Sequence, residues 1–187
     1  MNNEQYLLVI SGPSGSGKDT VINRLAAEHE NIEVAVSATT RAPRQGEKEG
    51  ENYFFLSEEA FQAKLAQGEI LEHAKYCDNY YGTLKSEVDR RIQNGIFVVL
   101  VIEVQGAAAI KRIYPACTSI FVRPPSYEEL SRRLYARGTE SEDKIAARLA
   151  RAVEEMNYAV DYDYIVTNDT IEDCTKEIYA ILTHAHE

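Results

Sequence analysis

The sequence predicts an α/β fold, a central parallel sheet flanked by helices, and three observations carry that prediction. Short continuous apolar runs alternate with longer amphipathic stretches along most of the 187 residues, the pattern of strands buried on both faces and joined by crossover helices. The first apolar run feeds directly into a glycine-rich segment, "GPSGSGKDT", and then into a helical period. Apolar residues make up 44% of the chain and charged residues 27%, enough for the core of one domain and against global disorder.

"YLLVIS" reads as the first strand, since apolar β-formers run up to a Gly-Pro stop. In "KDTVINRLAAEH" the spacing sets Val21, Ile22 and Leu25 on one helical face. "EVAVSATT" reads as a second strand, and "EEAFQAKLAQG" and "LKSEVDRRIQNG" as helices. "IFVVLVIEV" and "CTSIFV" are further central strands on either side of the helical "VQGAAAIKRIY". "SYEELSRRLYARG" and "SEDKIAARLARAVEEMNYA" form a helical pair, "DYIVTN" a late strand and "TIEDCTKEIYAILTHA" the last helix. Two segments interrupt the alternation, at about residues 37–84 and 126–157. No Pro/Gly/Ser linker isolates either, so both read as lobes mounted on one core built from 1–36, 85–125 and 158–187.

Charge and cysteine use narrow the function classes. Twenty Lys and Arg against thirty Asp and Glu give a net charge of −10, a field that disfavours nucleic acid and anionic membranes as partners. A local group of arginines can still hold a small anion. Cys77, Cys117 and Cys174 lie far apart without a C-x-x-C spacing, which suits reduced thiols rather than a zinc site or a disulfide frame. The longest apolar run, Ile96 to Ile102, is seven residues, about a third of a membrane span. The N-terminus has no basic n-region, so a cytoplasmic location is expected.

Three constellations carry chemistry. Gly12, Pro13, Ser14, Gly15, Ser16, Gly17 and Lys18 spell G-x-x-x-x-G-K, followed by Asp19 and Thr20. That spacing arises by chance in roughly one chain in twenty of this length, taking glycine at about 7%. The strand before it and the helix after it are the context the mechanism needs. Backbone N–H groups and the helix N-terminus then face phosphate oxygens, and the lysine adds a mobile charge. The second constellation, "SATTRAPRQGEKEGENYFF", places Arg41 and Arg44 three apart, with Ser37 before and Tyr53 after. Two guanidiniums, a hydroxyl and a phenol suit a phosphate monoester; read alone, the segment is equally a solvated loop. In the third, "EILEHAKYCDNYYGT", Glu72 stands near Tyr81 and Thr83. A carboxylate there can accept from the adjacent N1–H and N2–H of guanine, or be an ordinary exposed acid.

Together and in this order these segments resemble the guanylate kinase family, the ATP:GMP phosphotransferases. The resemblance runs through the chain: the phosphate loop, the R-x-x-R…G-E…G…Y-F segment, the L-E…Y-G-T segment, "IEVQGA", the lid-like "RPPSYEELSRRLYARGTESEDKIAARLARAVEEM", and "YDYIVTND". It implies a P-loop nucleotide kinase with an inserted GMP-binding lobe and a helical lid. It further implies that Ser37, Arg41, Arg44, Tyr53 and Tyr81 hold the GMP phosphate while Glu72, Thr83 and Glu103 serve GMP. The phosphate-loop residues 12–20 hold ATP, with Asn168 near the adenine, and Lys18, Arg41, Arg137 and Arg148 are the catalytic cations. Arg133 is a weaker candidate. Mg²⁺ accompanies ATP as co-substrate, and the protein is a monomer or homodimer.

Two positions depart from the family pattern, and both concern the metal. Asp19 follows the lysine where Ser or Gly is usual, and Val101 stands where an acid usually precedes Glu103 by two. Asp19 is expected to make good the acid absent at 101, meeting Mg²⁺ directly or through water; alternatively it only stabilises the helix start through the dipole. Two other functions stay open at this stage. A guanylate-kinase-like binding module for a phosphorylated or acidic partner has little reason to keep Lys18, Arg137 and Arg148 together. A kinase for another monophosphate does not need Glu72 opposite two adjacent donors.

Overall fold

Four apolar residues and a serine make the central strand β1 (Leu7–Ser11), buried throughout. The chain is described here from a computed structural model that covers residues 3–76, 78–136 and 141–184. From β1 the glycine-rich loop leads into α1 (Lys18–Glu28), whose Val21, Ile22 and Leu25 are buried as their spacing predicts.

The segment expected as one second strand is two. β2 (Ile32–Val34) lies in the main sheet and β3 (Ser37–Thr39) in another. The hydrogen bonds give the reason. The Ala35 N–H still reaches the Val99 carbonyl at 3.0 Å, whereas the Thr40 N–H reaches Tyr80 at 3.0 Å, so each half finds its ladder in a different layer.

After β4 (Phe54–Phe55) come α2 (Glu58–Ala66), β5 (Ile70–Tyr76), β6 (Asn79–Leu84) and α3 (Lys85–Gln93). Then follow β7 (Phe97–Val101), α4 (Val104–Ile113), β8 (Thr118–Arg123), α5 (Tyr127–Ala136) and α6 (Glu142–Met156). A short 3₁₀ turn (Asn157–Asp161) precedes β9 (Tyr164–Thr167) and α7 (Ile171–His184). The main sheet has the order β2-β7-β1-β8-β9 and is parallel throughout. One face packs on α1 and α7 through Val21, Leu25, Ile178 and Leu182; the other takes Val88, Ile92, Ala107 and Ile110 from α3 and α4. With helices covering both faces, the binding edge of such a sheet is the carboxyl end of its strands.

The "IFVVLVIEV" run is shorter as a strand than its apolar pattern. β7 stops at Val101, and Glu103 is the N-cap of α4 with φ −67° and ψ 158°. Val101 and Glu103 are therefore not alternate residues of one strand. The last ladder bond is Ile102 N–H to the Ile10 carbonyl at 3.1 Å, after which the small residues of "VQGAAA" follow helical rather than strand geometry.

The second sheet, order β4-β3-β6-β5, has its own small core of Ala38, Phe61, Ile70 and Leu84. The β5–β6 register slips between Ile70, opposite Leu84, and Glu72, opposite Thr83. Leu71, the extra residue, is buried with Leu7, Val9 and Leu100 of the main core, so the slip both bends the strand and pins this layer to the sheet. Helices α5 and α6 form a third apolar cluster of Leu130, Leu134, Ile145, Leu149 and Ala152. Among the described residues no helix is long and apolar enough to cross a membrane. Cys117 and Cys174 are buried free thiols; Cys77 lies outside the described residues.

Candidate active site

The phosphate loop is shaped by two glycines where no side chain fits. Gly12, at φ +153°, would drive a Cβ into the Val122 carbonyl, and Gly17, at φ +84°, would drive one into the Asn168 amide. Gly17 also caps α1, so the N–H groups of Lys18, Asp19 and Thr20 open toward the loop. Asn168, only 2% exposed, donates through Nδ2 to the Ser16 carbonyl at 2.7 Å. Arg133 donates to the same oxygen at 3.3 Å and to the Asn168 carbonyl at 3.1 Å, while its Nε bonds Glu129 at 2.7 Å. Asn168 thus stands behind the loop and fixes its peptide. Arg133, whose place on a helix face pointed to solvent, is the second prop. From α6 Arg148 reaches the Ser14 hydroxyl. Arg137 lies outside the described residues.

Across the cleft the second sheet lines up the other group. Ser37, Thr83 and Glu72 occupy one register row across β3, β6 and β5. The register slip at Leu71 is what turns Glu72 to the face of Thr83. The Thr83 hydroxyl donates to Glu72 Oε1 at 2.6 Å. On its far side Glu72 abuts α4, where a Cβ added at Gly106 would lie 2.8 Å from Oε2. Burial raises the Glu72 carboxyl, and the Thr83 hydroxyl partly draws it down.

Two rows along, on the same face, Thr39 faces Tyr81. The Tyr81 ring meets Tyr53 edge-on with centroids 6.0 Å apart, and the Arg41 guanidinium lies 5.4 Å from the Tyr53 ring centre. Arg41 Nη2 bonds both Glu47 oxygens, at 2.8 and 3.0 Å, and Nη1 bonds the Ala42 carbonyl at 2.7 Å. Glu47 also accepts the Arg44 backbone N–H at 2.7 Å, and the Arg41 bond above all holds its carboxyl below the usual range. Glu47 is a site neighbour that the arginine spacing alone does not reveal. Arg44 itself is exposed on the same loop.

Between the loop and this sheet is a cavity of about 240 Å³ lined by Asp19, Ser37, Tyr53, Thr83 and Val101 among others, with Asp19 its only carboxylate among the described residues. Among the described residues no group of three or more His, Cys, Asp or Glu could cage a metal. The Asp19 carboxylate and Thr20 hydroxyl are hard oxygen donors. They suit a cation that takes its other ligands from water and a substrate's phosphates, as Mg²⁺ does. Glu103 sits at the cleft margin with its Oε2 on Arg151 Nη2 at 2.7 Å. The arrangement can cradle one phosphate chain at the loop, a second phosphate at Arg41, and a planar hydrogen-bonding ring at Glu72.

Comparison with known proteins gives the family. The guanylate kinase family profile matches residues 4–185. A guanylate kinase of Clostridium perfringens (strain SM101 / Type A) is 46% identical over 181 residues, 97% of this chain and 84% of its own. That of Clostridioides difficile (strain 630) is 47% identical over 177 residues, 95% and 86%. The crystal structure of guanylate kinase from Anaplasma phagocytophilum superposes with a TM-score of 0.74 at 38% identity, covering 95% of this chain and 84% of that one.

Proposed function

The chain belongs to the guanylate kinase family, and from that membership we propose how its own residues carry out the reaction. The enzyme transfers the γ-phosphoryl of ATP to GMP, giving ADP and GDP. Its two substrates enter from opposite sides of the cleft, ATP at the loop and GMP at the second sheet.

Glu72 accepts the guanine N1–H and N2–H, and Thr83 holds its carboxylate in the plane that two parallel donors require. Adenine offers an acceptor at N1, which the same carboxylate repels. Ser37, Arg41, Arg44, Tyr53 and Tyr81 hold the GMP phosphate, with Arg41 moving from Glu47 to the stronger anion. Glu103 approaches the purine from the start of α4. The amides of residues 12–17 and Lys18 hold the ATP phosphates, and Asn168 serves ATP by keeping that loop in shape.

The attacking atom is an oxygen of the GMP phosphate. It is already anionic, so the protein needs no general base. What remains is alignment, and neutralisation of the charge spread over the γ-phosphoryl in transit. Lys18 and Arg148 from the ATP side and Arg41 from the GMP side provide it, joined by Arg137 from the 126–157 lid. Asp19, directly or through water, and the Thr20 hydroxyl would hold Mg²⁺, which would supply further positive charge to the phosphates when bound. Closure of the 37–84 lobe and the lid excludes water that would hydrolyse ATP. The net charge of −10 disfavours nucleic-acid and anionic-membrane partners; the enzyme we propose is cytoplasmic and acts as a monomer or homodimer.

The register row Ser37–Thr83–Glu72 is the observation that carries this reading. Coupled assay of ADP release with GMP, AMP, UMP or no acceptor tests it at graded Mg²⁺. Turnover with GMP alone is expected; turnover with AMP or UMP overturns the role given to Glu72.

A further inference from the structure

α6 turns an apolar stripe inward, Ile145, Leu149 and Ala152, and then continues it with an acid, Glu155, only 8% exposed. A carboxylate in that position needs a partner, and it has Arg151, one turn back, with Nε 2.8 Å from Oε1. Arg151 does not stop there. Its Nη2 reaches across to Glu103 Oε2 at 2.7 Å, 48 residues away, at the N-cap of α4. One guanidinium therefore bridges the buried acid of the α5–α6 lid to the acid at the margin of the GMP cleft.

The bridge has a direction. Nε is committed to the buried Glu155, which fixes the plane of the guanidinium. Nη2 then presents a donor at a set place, and the half-exposed Glu103 is the mobile partner. Arg151 engages Oε2 of Glu103 and leaves Oε1 to accept from a ligand. Burial raises the Glu155 carboxyl, and the nearby Glu103 charge adds to that. The Arg151 bond and the more distant Lys18 only partly draw it down, so the phosphate-loop lysine lies within the electrostatic reach of the same chain.

We infer that Arg151 is a positioning residue for GMP: anchored by Glu155, it holds Glu103 in the orientation that meets the purine. The inference rests on the reading of Glu103 as a GMP contact. It assigns a role in GMP affinity to a lid-helix residue to which the sequence reading gave none. Because the Arg151–Glu103 pair is half-exposed, its effect is modest, about two- to fivefold in GMP affinity.

The test is a double-mutant cycle read by calorimetric GMP binding to the full chain, alongside the KM values for GMP and ATP. Arg151→Gln is expected to weaken GMP two- to fivefold with the ATP KM little changed, to lower the melting temperature because Glu155 loses its partner, and to be recovered in part by Arg151→Lys. In a Glu103→Gln background Arg151→Gln should have no further effect. If Glu103→Gln weakens GMP but Arg151→Gln does not, or if the two losses simply multiply, the inference is overturned while the reading of Glu103 stands. If Glu103→Gln leaves GMP binding unchanged, that reading fails and the inference goes with it.

Discussion

The Thr83 hydroxyl and Glu72 Oε1 meet at 2.6 Å across the β5–β6 ladder, on the face that lines the cleft. The hydroxyl takes one lone pair and sets the carboxylate plane, while burial holds the carboxyl above its ordinary value. The group is thus oriented for a donor pair yet underpaired without one.

Glu72→Gln should separate function from stability. A folded-state value above the unfolded one means that the ionised group costs stability at neutral pH, since the protonated form is the one the fold favours. The amide removes that cost and presents donors to guanine's donors. We expect a melting temperature equal to or above that of the wild type in a thermal scan. The kcat/KM for GMP should fall by about 100-fold or more, the scale of one lost charge-assisted pair. A variant that melts much lower and still discriminates GMP from AMP contradicts both halves.

Asn168→Ala should act on ATP alone. It leaves the Ser16 carbonyl with Arg133 as its one side-chain donor and removes a buried bond worth about 1–3 kcal/mol with its desolvation. The ATP KM is expected to rise about tenfold and the GMP dissociation constant to stay within about twofold, a split that steady-state kinetics and a GMP titration read directly.

Asp19→Ser tests the metal side. If Asp19 meets Mg²⁺, the variant needs several-fold more Mg²⁺ for half-maximal rate, and Mg²⁺ tightens calorimetric ATP binding less than in the wild type. An unchanged or improved Mg²⁺ dependence in both readouts leaves Asp19 as a helix-start residue only.

Asp163 offers a pH test away from the site. It accepts the Ser119 N–H at 2.8 Å, the Ser119 hydroxyl at 2.7 Å and Lys111 Nζ at 2.7 Å, stitching the start of β9 to β8. Burial pushes its carboxyl up, but Lys111 and Ser119 outweigh that and hold it low. A lowered folded value gives stability that is present above the unfolded value, about 3.9, and lost as pH falls through the folded one. In urea unfolding, Asp163→Asn should cost about 1–2 kcal/mol at pH 7, and the gap should begin to close below about pH 4 and vanish once pH is under the folded value.

How much of this was legible in the sequence depended on the range of the interaction. β1, the glycine loop and the buried face of α1 follow from local pattern, because each is fixed by its own residues. The split of "EVAVSATT" into β2 and β3 does not, since its two halves are told apart only by Val99 and Tyr80, which lie far along the chain. The end of β7 before Glu103 was hidden by an apolar run that continues past Val101, the last residue of the strand. At the site, Arg41, Glu72 and Thr83 could be named from residue type and spacing. Arg133 could be named only as a weaker candidate, and Glu47 and Arg151 not at all, because an arginine or glutamate on a polar segment looks the same whether it meets water or a partner.

The slip at Leu71 makes chain length, as well as residue identity, a determinant of base recognition. Remove one residue there and Glu72 still falls opposite Thr83, but the bend and the Leu71 anchor that pin this layer to the main core are lost, and the acid is displaced relative to the phosphate loop. A reading of tolerated substitutions would miss this, since conservative exchanges at Leu71 keep the count. Comparisons among relatives should therefore treat a one-residue gap between Ile70 and Glu72 as a change of specificity rather than as loop variation.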